Sequence, residues 1–103
     1  MKSLVYAPAA RADFREIGRY IALDNPDRAL SFVGELEAKA AQAVERPLSF
    51  LARDDRSRGL RAARHGKYLI FSRDLPGNVR VVRILHGARD LGRMFGGEGG
   101  SDF

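Results

Sequence analysis

The residues with chemical reach are mostly cations, and they crowd into residues 59–95. Arg61 and Arg64 fall on one predicted strand, Lys67 and Tyr68 open the next, and Arg83 and His86 lie on a third. Arg89 and Asp90 follow at a strand-to-helix turn. Converging near one end of an antiparallel sheet, these groups would make a site for phosphate or carboxylate, because a guanidinium presents a planar fork of donors that matches either anion. Each has a plainer account. Arg83 suits a structural pair with a helix carboxylate such as Asp13 or Glu16, His86 suits a hydrogen-bonded strand end, and Asp90 suits a helix cap or a hold on Arg89. Tyr68 reads as a half-buried sheet residue. No phosphate-binding glycine loop and no Ser/His/Asp arrangement with supporting context points to a named enzyme chemistry.

Composition narrows the choice further. The chain has no cysteine and only two histidines, His65 and His86, so disulfide and thiolate metal chemistry are excluded and zinc is not expected. No metal or cofactor is called for. The net charge of +5 is unevenly spread. Residues 1–45 carry 6 basic and 7 acidic side chains, whereas residues 46–93 carry 12 basic and 4 acidic ones. A basic half of this kind suits a polyanion or an acidic protein partner, the alternative being a solvated arginine-rich face. With 103 residues the chain makes one small domain. No apolar run approaches the roughly 18 residues of a membrane span. The N-terminus has no sustained apolar core of signal-peptide length. The expectation is a cytoplasmic protein with neither a membrane nor a small-molecule substrate.

The positioning elements follow from pattern. Residues 3–6 are a short apolar edge strand closed by Pro8. Ala10, Phe14, Ile17 and Ile21 recur at helical spacing to about Ala22. Asp24-Asn25-Pro26 stops that helix and starts another, with Asn25 as cap and Pro26 as first residue. Ala29, Val33, Leu36, Ala40 and Ala43 then form one stripe, with Phe32 beside it, until Pro47. So short a connection makes the two helices antiparallel neighbours. Residues 47–58 are expected as a loop whose apolar patch (Leu48, Phe50, Leu51) tucks under the sheet.

Strands follow at 59–64, 67–73 and 79–86, the last two joined by a Pro76-Gly77-Asn78 turn in which Pro fixes φ and Gly allows φ > 0. Strict alternation puts Tyr68 and Ile70 opposite Leu69 and Phe71. It also puts Val79, Val81, Arg83 and Leu85 opposite Arg80, Val82, Ile84 and His86. Gly87 breaks the last strand, residues 88–95 form a short helix anchored by Leu91, Met94 and Phe95, and residues 96–103 form a flexible Gly-rich tail. The class is α+β: an N-terminal strand and a helical hairpin packed on an antiparallel sheet, one domain over 1–95.

An ordered set of these residues resembles the ParE toxins of the RelE/ParE superfamily, the toxin halves of bacterial toxin–antitoxin modules. It comprises Leu4-Val5-Tyr6, Pro8-Ala9-Ala10, Asp13-Phe14, Ile17 and Tyr20-Ile21-Ala22. It continues with Asn25-Pro26, Ala29, Phe32, Gly59-Leu60-Arg61 and Tyr68-Leu69-Ile70-Phe71, and closes with Val82-Arg83-Ile84-Leu85-His86-Gly87-Ala88-Arg89-Asp90-Leu91. The resemblance covers all but the tail. It implies the same topology, a ParD-like antitoxin that wraps the toxin, and inhibition of DNA gyrase. On this reading Arg61, Arg64, Tyr68, Arg83, His86 and Arg89 meet the target, while Phe14, Ile17, Ile21, Phe32 and Leu36 on the hairpin receive the antitoxin. The alternative within the superfamily is a RelE-type, ribosome-dependent mRNA endonuclease. There Arg89 matches a basic residue of that type, but Tyr68 stands where RelE has an arginine. Phe95, which has no hydroxyl to move a proton, stands where it has a tyrosine. His86 is the substitute base that keeps the nuclease reading open.

Overall fold

The computed structural model describes residues 2–90. Its order is β1 (Ser3–Tyr6), α1 (Pro8–Ala22), α2 (Pro26–Glu45), a single 3-10 turn at Pro47–Ser49, β2 (Leu51–Ala52), β3 (Leu60–His65), β4 (Tyr68–Asp74) and β5 (Asn78–His86). Both helices begin where the sequence places them. Pro8 and Pro26 occupy first-turn positions that have no use for an N–H, and the Asn25 side chain accepts the Arg28 N–H at 3.0 Å. Gly18 on α1 faces Val33 on α2, where a Cβ would meet Val33 Cγ2 at an ordinary contact distance of 3.5 Å.

The sheet has five strands in the order β1-β5-β4-β3-β2. β2 to β5 pair antiparallel, but β1 lies parallel to β5, which makes the sheet mixed and places β5 between two neighbours. The hairpin covers one face, where Ile17, Phe32, Leu36 and Ala40 meet Ala63, Tyr68, Ile70, Val79, Val81 and Ile84. Leu60, Ala62, Leu69, Phe71, Val82 and Leu85 form a second buried cluster on the other face. The β3–β4 turn depends on Gly66, whose φ of +59° lies in the left-handed region that favours glycine.

Several expectations need correction. Alternation along β5 does not hold, because the pairing jumps from Phe71↔Arg83 to Ser72↔Val81 and leaves Val82 as an extra residue. This bulge moves Ile84 to the helix face with Val79 and Val81, and Leu85 to the opposite face with Val82. Gly77 does not take a positive φ. Residues 51–52 are a short strand rather than loop, and of the patch beside them only Phe50 is buried; Leu48 and Leu51 stay exposed. Ile17, Phe32 and Leu36, expected to receive a partner, lie buried against the sheet, with Phe14 and Ile21 packed on the same cluster. The buried part of the hairpin's apolar stripe makes the core, while Phe14 and Ile21 keep part of their surface. The helix expected over 88–95 has only its start, at Arg89 and Asp90, within the described residues; Leu91, Met94, Phe95 and the tail 96–103 lie outside them.

The swap between core and surface is measurable. Leu36→Ala is expected to cost about 2–5 kcal/mol in chemical denaturation followed by circular dichroism. Leu30→Ala, one face over on the same helix, is expected to stay within about 0.5 kcal/mol of the parent. Equal costs at the two positions would overturn the assignment of faces.

Candidate functional site

β1 ends at Tyr6, opposite Val81, and its last bond to β5 is the Ala7 N–H donated to the Val81 carbonyl at 2.9 Å. Beyond this point β5 runs on to His86 with no strand on that side. Its backbone donors there must find other acceptors or lose hydrogen-bond energy. Two carboxylates supply them. Asp13, on the flank of α1, accepts the Ile84 N–H at 2.9 Å, and Asp90 accepts the His86 N–H at 2.8 Å.

Each carboxylate also holds an arginine. Asp13 receives Arg83 Nε at 2.8 Å and Nη2 at 3.0 Å, a two-pronged pair. Asp90 receives Arg89 Nε at 3.0 Å and Nη2 at 3.4 Å. The Arg89 guanidinium lies 5.6 Å from the centre of the Tyr20 ring, within cation–π range. His86 closes the corner: its Nδ1 accepts the Arg89 N–H at 3.1 Å, and its ring stands edge-on to Tyr68 at 5.4 Å. Between these groups and α1 lies a cavity of about 310 Å³ that also reaches Glu16, Ile17 and Leu85.

The electrostatics follow from the contacts. Burial pushes the Asp90 carboxyl up, but the bonds from Arg89 and the His86 N–H outweigh it and hold the group below the ordinary aspartate range. Arg89 is shifted up, chiefly by its bond to Asp90. Across the same end of the sheet, Phe32 bridges the rings of His65 and Tyr68. His65 Nε2 sits 2.8 Å from Glu35, and Glu35 is held below its ordinary range by hydrogen bonds from Arg28 and then His65.

The expected convergence of cations is therefore partial. Arg83, His86, Arg89 and Tyr68 come together, but Tyr68 is only 6% exposed and lies in the core rather than half-buried. Arg64 points from the opposite face of β3, between neighbours of the second cluster. Arg61 is on the helix face but four residues along the ladder from the His65–Tyr68–His86 rung, about 13 Å at roughly 3.3 Å per residue, and it donates to the Phe50 carbonyl. Tyr20, 61% exposed and lining the cavity, is a site residue that the cation pattern in the sequence does not include. Its signal was present: Asp13, Glu16 and Tyr20 share one flank of α1 at helical spacing, a polar stripe beside the apolar one. Among the described residues no cluster of His, Asp or Glu is arranged to hold a metal ion, and no helix is long and apolar enough to cross a membrane.

Comparison with known families meets this geometry directly. Residues 4–91 match the model of the ParE toxin of the parDE type II toxin–antitoxin system. The chain belongs to the ParE toxin family. The match runs from β1 through both carboxylate clamps, so it includes the whole candidate site. A structure described as the chromosomal ParDE toxin–antitoxin system of P. aeruginosa is similar, with a TM-score of 0.72 at 21% identity, covering 84% of this chain and 96% of that one. It supports the fold. Among curated proteins none matches. As a ParE-family protein the chain is a toxin of a type II toxin–antitoxin module, and the family implies an antitoxin partner.

Two tests address the clamps. Asp13→Ala, which leaves the Ile84 N–H without its acceptor, is expected to cost about 1–3 kcal/mol, whereas Glu16→Ala should stay within about 0.5 kcal/mol. Asp90, depressed in the folded state, contributes stability in full above the ordinary aspartate value of about 3.9 and loses it as pH falls through the folded value. Asp90→Asn should accordingly flatten the acid limb of the Tm–pH curve measured by calorimetry. An unaltered limb would mean that Asp90 titrates like a free aspartate.

Proposed function

We propose that this ParE-family toxin inhibits DNA gyrase by binding, without catalysing a reaction, through the end of the sheet that carries Arg89, Tyr20 and the cavity between them. The observation that carries this reading is the state of the polar groups. His86 Nδ1 is occupied by the Arg89 N–H, so the neutral imidazole carries its proton on Nε2 and has no free lone pair with which to act as a base. Both carboxylates are engaged by arginine and backbone donors. This favours a preformed binding surface over the RelE-type nuclease, in which His86 would have to accept a proton. Tyr68 then serves to position His86, against whose ring it packs, and Arg83 serves to hold Asp13. Arg61 and Arg64 fall outside the contact made by this corner of the sheet.

For the antitoxin, the outer side of the hairpin replaces its buried stripe. Leu23 and Leu30, 80% and 78% exposed, stand at the turn end of the two helices, with Arg15 and Arg19 exposed on α1. An amphipathic ParD-like segment with an apolar face and acidic flanks fits this surface, since apolar contact supplies affinity and the arginines supply steering. The P. aeruginosa neighbour is described as a ParDE toxin–antitoxin system, which supports an antitoxin partner.

The deciding experiment measures supercoiling of plasmid by purified gyrase with the free protein added, beside a translation extract. The expected result is loss of supercoiling with translation and mRNA intact. Arg89→Ala should reduce the inhibition at least about tenfold with an unchanged circular dichroism spectrum. Cleaved mRNA with normal supercoiling would replace this reading with the nuclease. Leu30→Asp should weaken antitoxin binding at least about tenfold while leaving the effect on gyrase intact.

A further inference from the structure

Arg61 has no part in the corner that holds Arg83 and Arg89, yet its side chain is only half-exposed and incompletely used. Nε donates to the Phe50 carbonyl at 2.9 Å, which fixes the plane of the guanidinium, and the two terminal nitrogens make no hydrogen bond to any described residue. Arg61 lines a second cavity, of about 210 Å³, at the end of the sheet opposite to His86. One side of this cavity is apolar, built from Ala43 and Val44 of α2, Phe50 and Val79. Arg61, Ser72 and the Lys2–Asp74 ion pair complete its lining.

Ser72 is the one buried polar residue among those described, at 1% exposure, and it stands directly opposite Arg61 in the β3–β4 ladder. Cross-strand partners share a face with their Cβ atoms about 5 Å apart, so hydroxyl and guanidinium border the same space. A core position spent on serine is unusual, and here it lines a cavity beside a cation with spare donors.

We propose that this cavity binds a small monocarboxylate with a short aliphatic tail. The terminal nitrogens of Arg61 form a fork that matches a carboxylate, the Ser72 hydroxyl can donate to it or accept from its hydration, and the tail lies against Val44, Phe50 and Val79. The volume is below the roughly 300 Å³ at which drug-sized pockets begin, which sets the ligand at fragment size. The site is separate from the proposed gyrase surface, and its occupation needs nothing from it.

The test is titration of the isotope-labelled protein with hexanoate and, separately, with hexanamide, followed by amide NMR shifts. Hexanoate is expected to produce saturable shifts at Ala43, Val44, Phe50 and Ser72, with hexanamide at least about tenfold weaker because it lacks the charge. Arg61→Met should weaken hexanoate about tenfold or more, and Arg61→Lys should recover part of the loss. Absence of saturable shifts with hexanoate overturns the proposal. Equal binding of acid and amide overturns it too, since the cavity would then be an apolar hole without anion recognition. Shifts centred on Arg83 and Arg89 would also overturn it. The comparison of the two ligands on the unaltered protein decides the question even where an Arg61 variant fails to fold.

Discussion

A strand that outruns its neighbour leaves backbone donors with nothing to bond, and much of this molecule is arranged around that need. β5 continues beyond the end of β1, and the Ile84 and His86 N–H groups along that exposed edge are met by Asp13 and Asp90. A carboxylate in that position must itself be neutralised, and the arginines beside it do so. The clamp by Asp13 ties α1 to the sheet's centre, and the clamp by Asp90 ties the turn after β5 to its own strand. An edge that would otherwise invite another chain to pair is closed by side chains.

The same economy shapes what the site can do. Two of the cations that make the second half of the chain basic are committed to carboxylates at this corner, and a third bonds a carbonyl elsewhere. What the corner presents outward is a guanidinium held by Asp90, its Cζ 5.6 Å from the centre of the Tyr20 ring. Preorganisation of this kind lowers the entropy lost on binding, because Arg89 has little rotamer freedom left to give up. Exposed arginines on α1 and on β3 remain for long-range attraction, which affects encounter rate more than the lifetime of a complex.

The bulge at Val82 links the two ends of this account. Without the extra residue, Ile84 would face away from the helices and its place in the core beside Val81 would be lost. With it, β5 serves both faces of the sheet and still brings Arg83 to Asp13 at the edge. Strand alternation is a period of two, so a single inserted residue reverses every side chain beyond it.

From sequence alone, the elements and their class were readable. Helix starts are local events, written in Pro8, Asn25 and Pro26, and an apolar stripe at helical spacing marks the buried side of α1 and α2 whatever lies opposite. The alternation of β4 is equally local, and the likeness to ParE toxins rested on such short ordered pieces. The tertiary structure decided what depends on partners far apart in the chain. It brought Asp13 to Arg83 across 70 residues, turned Arg64 to the other face, and moved Arg61 to the far end. It also withdrew Tyr68 into the core and left Tyr20, Leu23 and Leu30 outside. A cation's role is fixed by the carboxylate, carbonyl or ring it meets, and that meeting is settled by the register and bulges of the sheet, which no single stretch of sequence contains.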